Sequence, residues 1–355
     1  MLREQLTESL KLRVLNVPFP PGLDQNHKVR IAVLFSGGLD CTVLARLVHD
    51  ILPLDQNIDL INVAFQNPRV VQAAKNVLDN AGTTKRTQRA NAEVQVNSNR
   101  HNEFWPQNSE TSVYEQCPDR KTGRRAVQEL KTACLGRVWR FVAVRTRLIL
   151  TSLHTNTHKV NIPYTETLAH KDTIVGLIHP HNTEMDLSIA CALYFAARGT
   201  GIVSDGEPCS STAYTTPARV LLSGLGADEL FGGYTRHATA LNRRGCEGLL
   251  DELELDVNRL GKRNLGRDDR VISHWGREAR FPFLDESLVK WAVECPIWEK
   301  YGFGTDVSVG LDIPEVEASK KVLRLLAYVL GMHSVAQEKK RAVSFLVTTI
   351  YSSLG

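Results

Sequence analysis

The stretch Ile31-Ala32-Val33-Leu34-Phe35-Ser36-Gly37-Gly38-Leu39-Asp40-Cys41 decides the fold. An apolar run reads as a buried strand and ends in Ser-Gly-Gly. Residues 40–52 follow with Val43, Leu44, Leu47, Val48 and Ile51 at helical spacing. Where such a helix starts, several backbone N–H groups lack intrahelical partners. The helix dipole adds partial positive charge there. Two glycines let the chain curl around an anion with no Cβ in the way, and the Ser36 hydroxyl adds a donor. The stretch is therefore a phosphate cradle made of backbone. No Lys follows Gly38 as G-x-x-x-x-G-K-[ST] requires, and G-x-G-x-x-G is absent.

Working outward, residues 58–65 form a second buried strand, so strand, helix and strand make a parallel βαβ unit. Residues 1–17 read as an amphipathic helix with Leu2, Leu6, Leu10 and Val14 on one stripe, closed by the Pro18–Gly22 segment. Residues 122–130 and 183–198 read as helices, 138–144 and 219–222 as strands, and the chain after Asp228 as mostly helical. Residues 151–173 carry little pattern. Residues 66–118 are rich in Asn, Gln, Ser, Thr and Arg and read as a disordered insertion around a helix at 70–78. The organisation expected is a helix and linker over 1–22, then one large domain over 23–355 that carries the phosphate cradle. Its fold class is α/β, a parallel sheet with helices on both faces and a helical C-terminal part.

Composition narrows the function. The 355 residues are 43% hydrophobic and 23% charged, with net charge +4. That balance suits a globular protein and gives no basic platform for nucleic acid. The seven cysteines form no C-x-x-C pair, which fits a reducing compartment. No apolar run is long enough to span a bilayer, so a cytoplasmic protein without membrane or nucleic-acid partners is expected. His154/His158 and His179/His181 could each touch a metal, but no third ligand follows at a known spacing.

A second strand-ending loop is Leu221-Leu222-Ser223-Gly224-Leu225-Gly226-Ala227-Asp228-Glu229-Leu230-Phe231-Gly232-Gly233-Tyr234. It resembles the S-G-E-G-A-D-E-L-F-G-G-Y signature of asparagine synthetases and β-lactam synthetases. The first loop, S-G-G-x-D, resembles the pyrophosphate loop of enzymes that split ATP between the α and β phosphates. Trp275-Gly276-Arg277-Glu278-Ala279-Arg280-Phe281-Pro282-Phe283-Leu284-Asp285 looks like the same family's W-G-x-E-A-R-x-P-F-L-D. Lys320-Lys321-Val322-Leu323-Arg324 resembles its K-x-x-L-R helix. Residues 58–65 and Pro118-Asp119-Arg120-Lys121-Thr122-Gly123-Arg124 are similar to the eukaryotic asparagine synthetase domain-containing branch. The resemblance implies an adenine-nucleotide α-hydrolase-like fold binding ATP and Mg²⁺. Phe35, Ser36, Gly37, Gly38, Asp40, Val63, Ser223 and Gly224 would contact the nucleotide. Asp40 and Asp228 would hold the metal, and Lys320, with Lys321 as second choice, would stabilise charge on the acyl-adenylate. The implied reaction activates aspartate as β-aspartyl-AMP, which ammonia then converts to asparagine.

Three departures qualify that expectation. Leu225 stands where the family carries Glu, and leucine can neither accept a proton nor bind a cation. Cys41 replaces a Ser, a weaker hydrogen-bond donor for a stronger one. The chain opens Met1-Leu2 with its first strand at residue 29, where complete enzymes carry an N-terminal glutaminase. Nitrogen would then come as free ammonia or from a separate glutaminase. The alternative expectation is an ATP-binding pseudoenzyme with a regulatory or scaffolding role. A different ATP pyrophosphatase is a third.

Overall fold

The computed structural model describes residues 1–19, 29–65, 117–144, 162–204, 211–303 and 316–339. The expected insertion lies outside the described residues but for 117–118, as do the expected helix at 70–78, His154 and His158.

Apolar stretches alternate with helices to give α1 (Leu2–Val14), β1 (Val29–Leu34), α2 (Leu39–Ile51), β2 (Asn57–Asn62), α3 (Pro118–Ala133) and β3 (Trp139–Val144). Then come α4 (Tyr164–Ile178), α5 (Glu184–Arg198), β4 (Thr200–Ser204), β5 (Ser211–Thr215), β6 (Val220–Leu222) and α6 (Ala227–Phe231). The chain continues through α7 (Thr235–Leu260, broken at Gly245), α8 (Gly266–Ser273) and β7 (Glu278–Arg280). It closes with α9 (Glu286–Glu294), α10 (Ile297–Lys300), α11 (Lys321–Val329) and α12 (His333–Gln337).

The sheet has seven strands in the order β5-β4-β3-β2-β1-β6-β7. Five of them, β3 to β7 by way of β2, β1 and β6, run parallel. From β1 the order grows one way through β2 and β3 and the other way through β6 and β7. The gap between β1 and β6 is thus a topological switch point, where open α/β sheets leave a crevice beyond the strand C-termini.

Helices cover both faces. Ile31, Val33, Ile58, Leu60, Val220 and Leu222 share one buried cluster with apolar residues of α1, α2, α3, α9, α11 and α12. Ala32, Ile61, Val144 and Leu221 share the other with α4, α5 and α8. The period-two alternation of β1 and β2 produces this split, and a register shift between Val29 and Ala32 puts Val29 on the second face. Leu2, Leu6, Leu10 and Val14 are all buried in the first cluster, as their stripe requires.

Four details differ from the sequence reading. The sheet is mixed, because β4 and β5 add an antiparallel edge. β7 pairs with β6 where only turn and helix are expected. The weakly patterned region contains α4, whose buried positions are Thr167, Ile174 and Ile178 while Leu168 and Val175 stay exposed. α3 begins at Pro118, four residues earlier than expected, with its proline in the first turn, where no N–H is missed.

Candidate active site

β1 and β6 are adjacent and in register, Val33 opposite Leu222. Their C-terminal loops therefore emerge side by side. Phe35 N–H donates to Ile61 O at 2.8 Å, and Ser223 N–H donates to Arg280 O at 2.9 Å, so each loop is anchored to its other neighbouring strand. Phe35 is buried and Ser36 exposed, while Gly38, a residue without a side chain, stands at the N-cap of α2. The first-turn N–H groups of α2 start at this loop, and that of Gly38 donates to Ser36 Oγ at 3.3 Å.

The glycines are sterically required. Gly37 has φ +82°, and a Cβ there would lie 2.5 Å from the backbone of Gly123 in α3. A Cβ on Gly224 would lie 3.0 Å from Asp40 Cβ, so the two loops touch. Asn62, at the end of β2, donates its amide to Phe35 O at 2.9 Å and to Asp119 O at 3.1 Å. It ties the first loop to the start of α3. This brace was not read from the sequence, though Gly123 within the Pro118–Arg124 motif was the available signal. Val63 follows Asn62, half-buried against the second cluster.

Asp40 enters from α2 and Asp228 from α6, and Lys320 joins them. The Lys320 ammonium donates to Asp40 Oδ1 at 2.8 Å and Oδ2 at 2.7 Å, and pairs with Asp228 Oδ1 at 2.7 Å. The two carboxylate side chains are 24% and 23% exposed and the lysine side chain 6%. Burial alone would lower the Lys320 pKa, but Asp40 and Asp228 more than offset this and push it up to about 12. Among the described residues Lys320 is the one non-glycine with positive φ, at 56°. That conformation costs on the order of 1–3 kcal/mol and persists where surroundings enforce it. Here Lys320 N–H donates to Phe231 O at 3.0 Å. Buried Arg324, one turn on, donates to Ser319 O at 2.9 Å and to Ala336 O and Glu338 O at 2.8 Å. The Lys320–Arg324 pair thus works as a unit, the arginine fastening the turn from which the lysine reaches. Gly233 lies so near that a Cβ would overlap Asp228 Oδ1 and Lys320 Cε.

The other members of the motifs play supporting parts. Glu229 accepts from the Tyr234 hydroxyl at 2.7 Å and from Asn264 at 3.0 Å. Burial raises its carboxyl pKa, with Asp228 adding to the effect and the Tyr234 bond opposing it. Leu225 is half-buried, its N–H donating to Ser223 Oγ at 3.3 Å. Cys41 is buried, its thiol donating to Gly38 O at 3.3 Å, and burial raises its pKa. A neutral buried thiol is a quiet substitution rather than a reactive group. Arg280 donates to Arg13 O, Ser9 to Pro282 O and Arg13 to Asp285, so α1 fastens the segment following β7.

Two carboxylates beside a glycine-lined crevice fit Mg²⁺, which commonly takes one or two protein carboxylates and completes its shell with water and substrate phosphates. Glycine at 37 and 224 lets the first loop pack on α3 and the second loop pack on Asp40, and the helix-start N–H groups beside them are of the kind that fits phosphate oxygens. Among the described residues no group of three or more His, Cys, Asp or Glu gathers for a metal held by protein alone.

Switch point, paired glycine loops and sheet order define an α/β protein of the adenine-nucleotide α-hydrolase-like class. More particularly, the asparagine synthase family model matches residues 209–251 and 247–350. It is 37% identical over 352 residues to the bovine asparagine synthetase domain-containing protein 1, covering 96% of this chain and 50% of that one. A Saccharomyces cerevisiae asparagine synthetase domain-containing protein is 32% identical over 96% of this chain and 51% of its own length. A putative glutamine-hydrolyzing asparagine synthetase of Methanocaldococcus jannaschii is 53% identical over 79 residues, 22% of this chain and 15% of that one. The chain spans about half the length of the asparagine synthetase domain-containing relatives it matches. No described helix is long and apolar enough to cross a membrane.

Proposed function

We infer that this chain is an ATP-dependent, AMP-forming amide ligase of asparagine synthetase type, with aspartate as the acid. The observation that carries the reading is the meeting of Asp40, Asp228 and Lys320 beside two touching glycine loops. The N–H groups at the start of α2, with Ser36, would bind the phosphates. Ser223 and Gly224 would flank the nucleotide from β6, and Phe35 and Val63 would bound it from β1 and β2. Asp40 and Asp228 would hold Mg²⁺, which when bound neutralises charge on the departing pyrophosphate. The aspartate side-chain carboxylate attacks the α-phosphorus, and the bond to pyrophosphate breaks. Lys320 places fixed positive charge where the acyl phosphate develops, a form of electrostatic stabilisation typically worth about 10²–10³-fold. Ammonia, free or delivered by a glutaminase, then attacks the acyl carbon and AMP leaves.

Aspartate-dependent exchange of pyrophosphate into ATP tests the first half-reaction. Exchange is expected. None at saturating ATP and aspartate would return the pseudoenzyme reading, in which ATP binds without turnover. The amidation step is tested by Leu225→Glu. Restoring a carboxylate is expected to raise AMP-forming turnover toward the ~10²–10⁴-fold typical of a general base, with ATP affinity unchanged. An unaltered rate would place the base elsewhere.

A further inference from the structure

We propose that the Lys320 ammonium competes with the divalent cation for the Asp40–Asp228 pair, so that metal enters this site with the nucleotide and not ahead of it. The inference rests on the nucleotide reading above and adds an order of binding to it.

Three carboxylate oxygens lie at 2.7–2.8 Å from one ammonium: both of Asp40 and Oδ1 of Asp228. A metal bridging the same two side chains needs those oxygens at about 2.0–2.1 Å if it is Mg²⁺. Its centre would then fall close to the nitrogen's position. At the contact two carboxylates face one ammonium, with the Arg324 guanidinium acting on Asp40 and the Glu229 carboxyl on Asp228 from further out, and a second cation of charge two beside the ammonium would meet its repulsion at close range. Retreat of the lysine is restricted. Its backbone is held at φ 56° by the bond to Phe231 O. Its side chain is 6% exposed, and Gly233 packs against its Cε. Arg324 fastens the preceding turn through Ser319 O. A polyphosphate brings the missing negative charge, and with it both cations can stay. Lysine suits this part better than arginine, being a compact point charge on a rotatable stem that can turn from carboxylates to a phosphoryl oxygen.

Mn²⁺ binding to the nucleotide-free protein, followed by electron paramagnetic resonance, tests this. Wild type is compared with Lys320→Met, with Lys320→Gly, which relieves the left-handed backbone, and with the Lys320→Met/Asp40→Asn double variant. Both single variants are expected to bind Mn²⁺ at least tenfold more tightly than wild type, and the double variant to lose the gain. Single variants that bind no more tightly overturn the proposal, as does wild type that already binds as tightly as they do. Calorimetric titration of wild type with ATP and Mg²⁺ stands apart. Its failure would sink the nucleotide reading while the Mn²⁺ comparison still reports on the lysine.

Discussion

The fold contains two triads of the same composition, two aspartates and one base, and they are built to different ends. At the switch point Asp40, Lys320 and Asp228 meet with their carboxylates about a quarter exposed. Between two helices of the second cluster, Arg267 of α8 joins Asp186 of α5 at 2.5 Å and its own neighbour Asp268 at 2.7 Å. There the side chains are 3%, 12% and 5% exposed. Thr183 caps α5 by accepting from Asp186 N–H at 3.1 Å and donates its hydroxyl to Asp186 Oδ2 at 2.5 Å. The planar guanidinium serves its partners at fixed angles, whereas an ammonium can turn between partners. A closed triad fastens helices. An open one, on a strained backbone and at a crevice, is placed to exchange partners.

Removal of the base from each triad should separate them most clearly. Arg267→Met leaves two buried carboxylates without their cation, and the expected loss is roughly 3–5 kcal/mol of stability, read by urea unfolding. Lys320→Met leaves carboxylates that water can reach. Its main expected effect is on aspartate-dependent exchange, down about 10²–10³-fold, with a smaller fall in unfolding free energy than Arg267→Met. Equal destabilisation by the two would erase the distinction between closed and open.

The cap offers a finer probe. Thr183→Ala removes both the cap of α5 and a partner of Asp186. A loss of about 1 kcal/mol is expected, with exchange unaffected, since Thr183 bonds to Asp186 and Leu187 within α5. A matching fall in exchange would mean the closed triad supports the site.

The smallest expected effect is one of pH. Burial works against the Asp186 carboxylate, but the bonds from Thr183 and Arg267 outweigh it and hold its pKa below the ordinary 3.8. Its contribution is present above that value and is lost as pH falls further. For Lys320 the sign is reversed. Its pKa is raised from 10.5 to about 12, so its contribution is full below 10.5 and fades as pH rises through 12. The stability difference between wild type and Lys320→Met should therefore stay flat from pH 6 to pH 9, within about 0.3 kcal/mol. A difference that shrinks across that window would show that the carboxylates do not hold the ammonium as described.

Much of the frame was legible because its causes are local. The Leu2–Leu6–Leu10–Val14 stripe of α1, the β1–α2–β2 unit and the Thr183-capped α5 each carry their pattern within a few residues. α4 escaped because its exposed Leu168 and Val175 blur the stripe that Ile174 and Ile178 would otherwise show. The strands β4, β5 and β7 escaped because, unlike the equally short but wholly apolar β6, they carry small, polar or charged residues, and their strand character comes from the neighbour that supplies the ladder.

The site divides along the same line. The sequence alone determined that two glycine turns each end a strand and open toward a carboxylate, because φ freedom and helix-end N–H groups are properties of the turn itself. Only tertiary structure decided that Lys320, 280 residues from Asp40, is the cation that spans both acids. The physical reason is that a contact between distant segments depends on sheet order and on how α11 packs, and a solvated Lys320-Lys321 pair would read identically in the chain. The brace from Asn62 to Asp119, the fit of Gly37 against Gly123 and the closed Asp186–Arg267–Asp268 triad were set in the same way, by packing rather than by pattern.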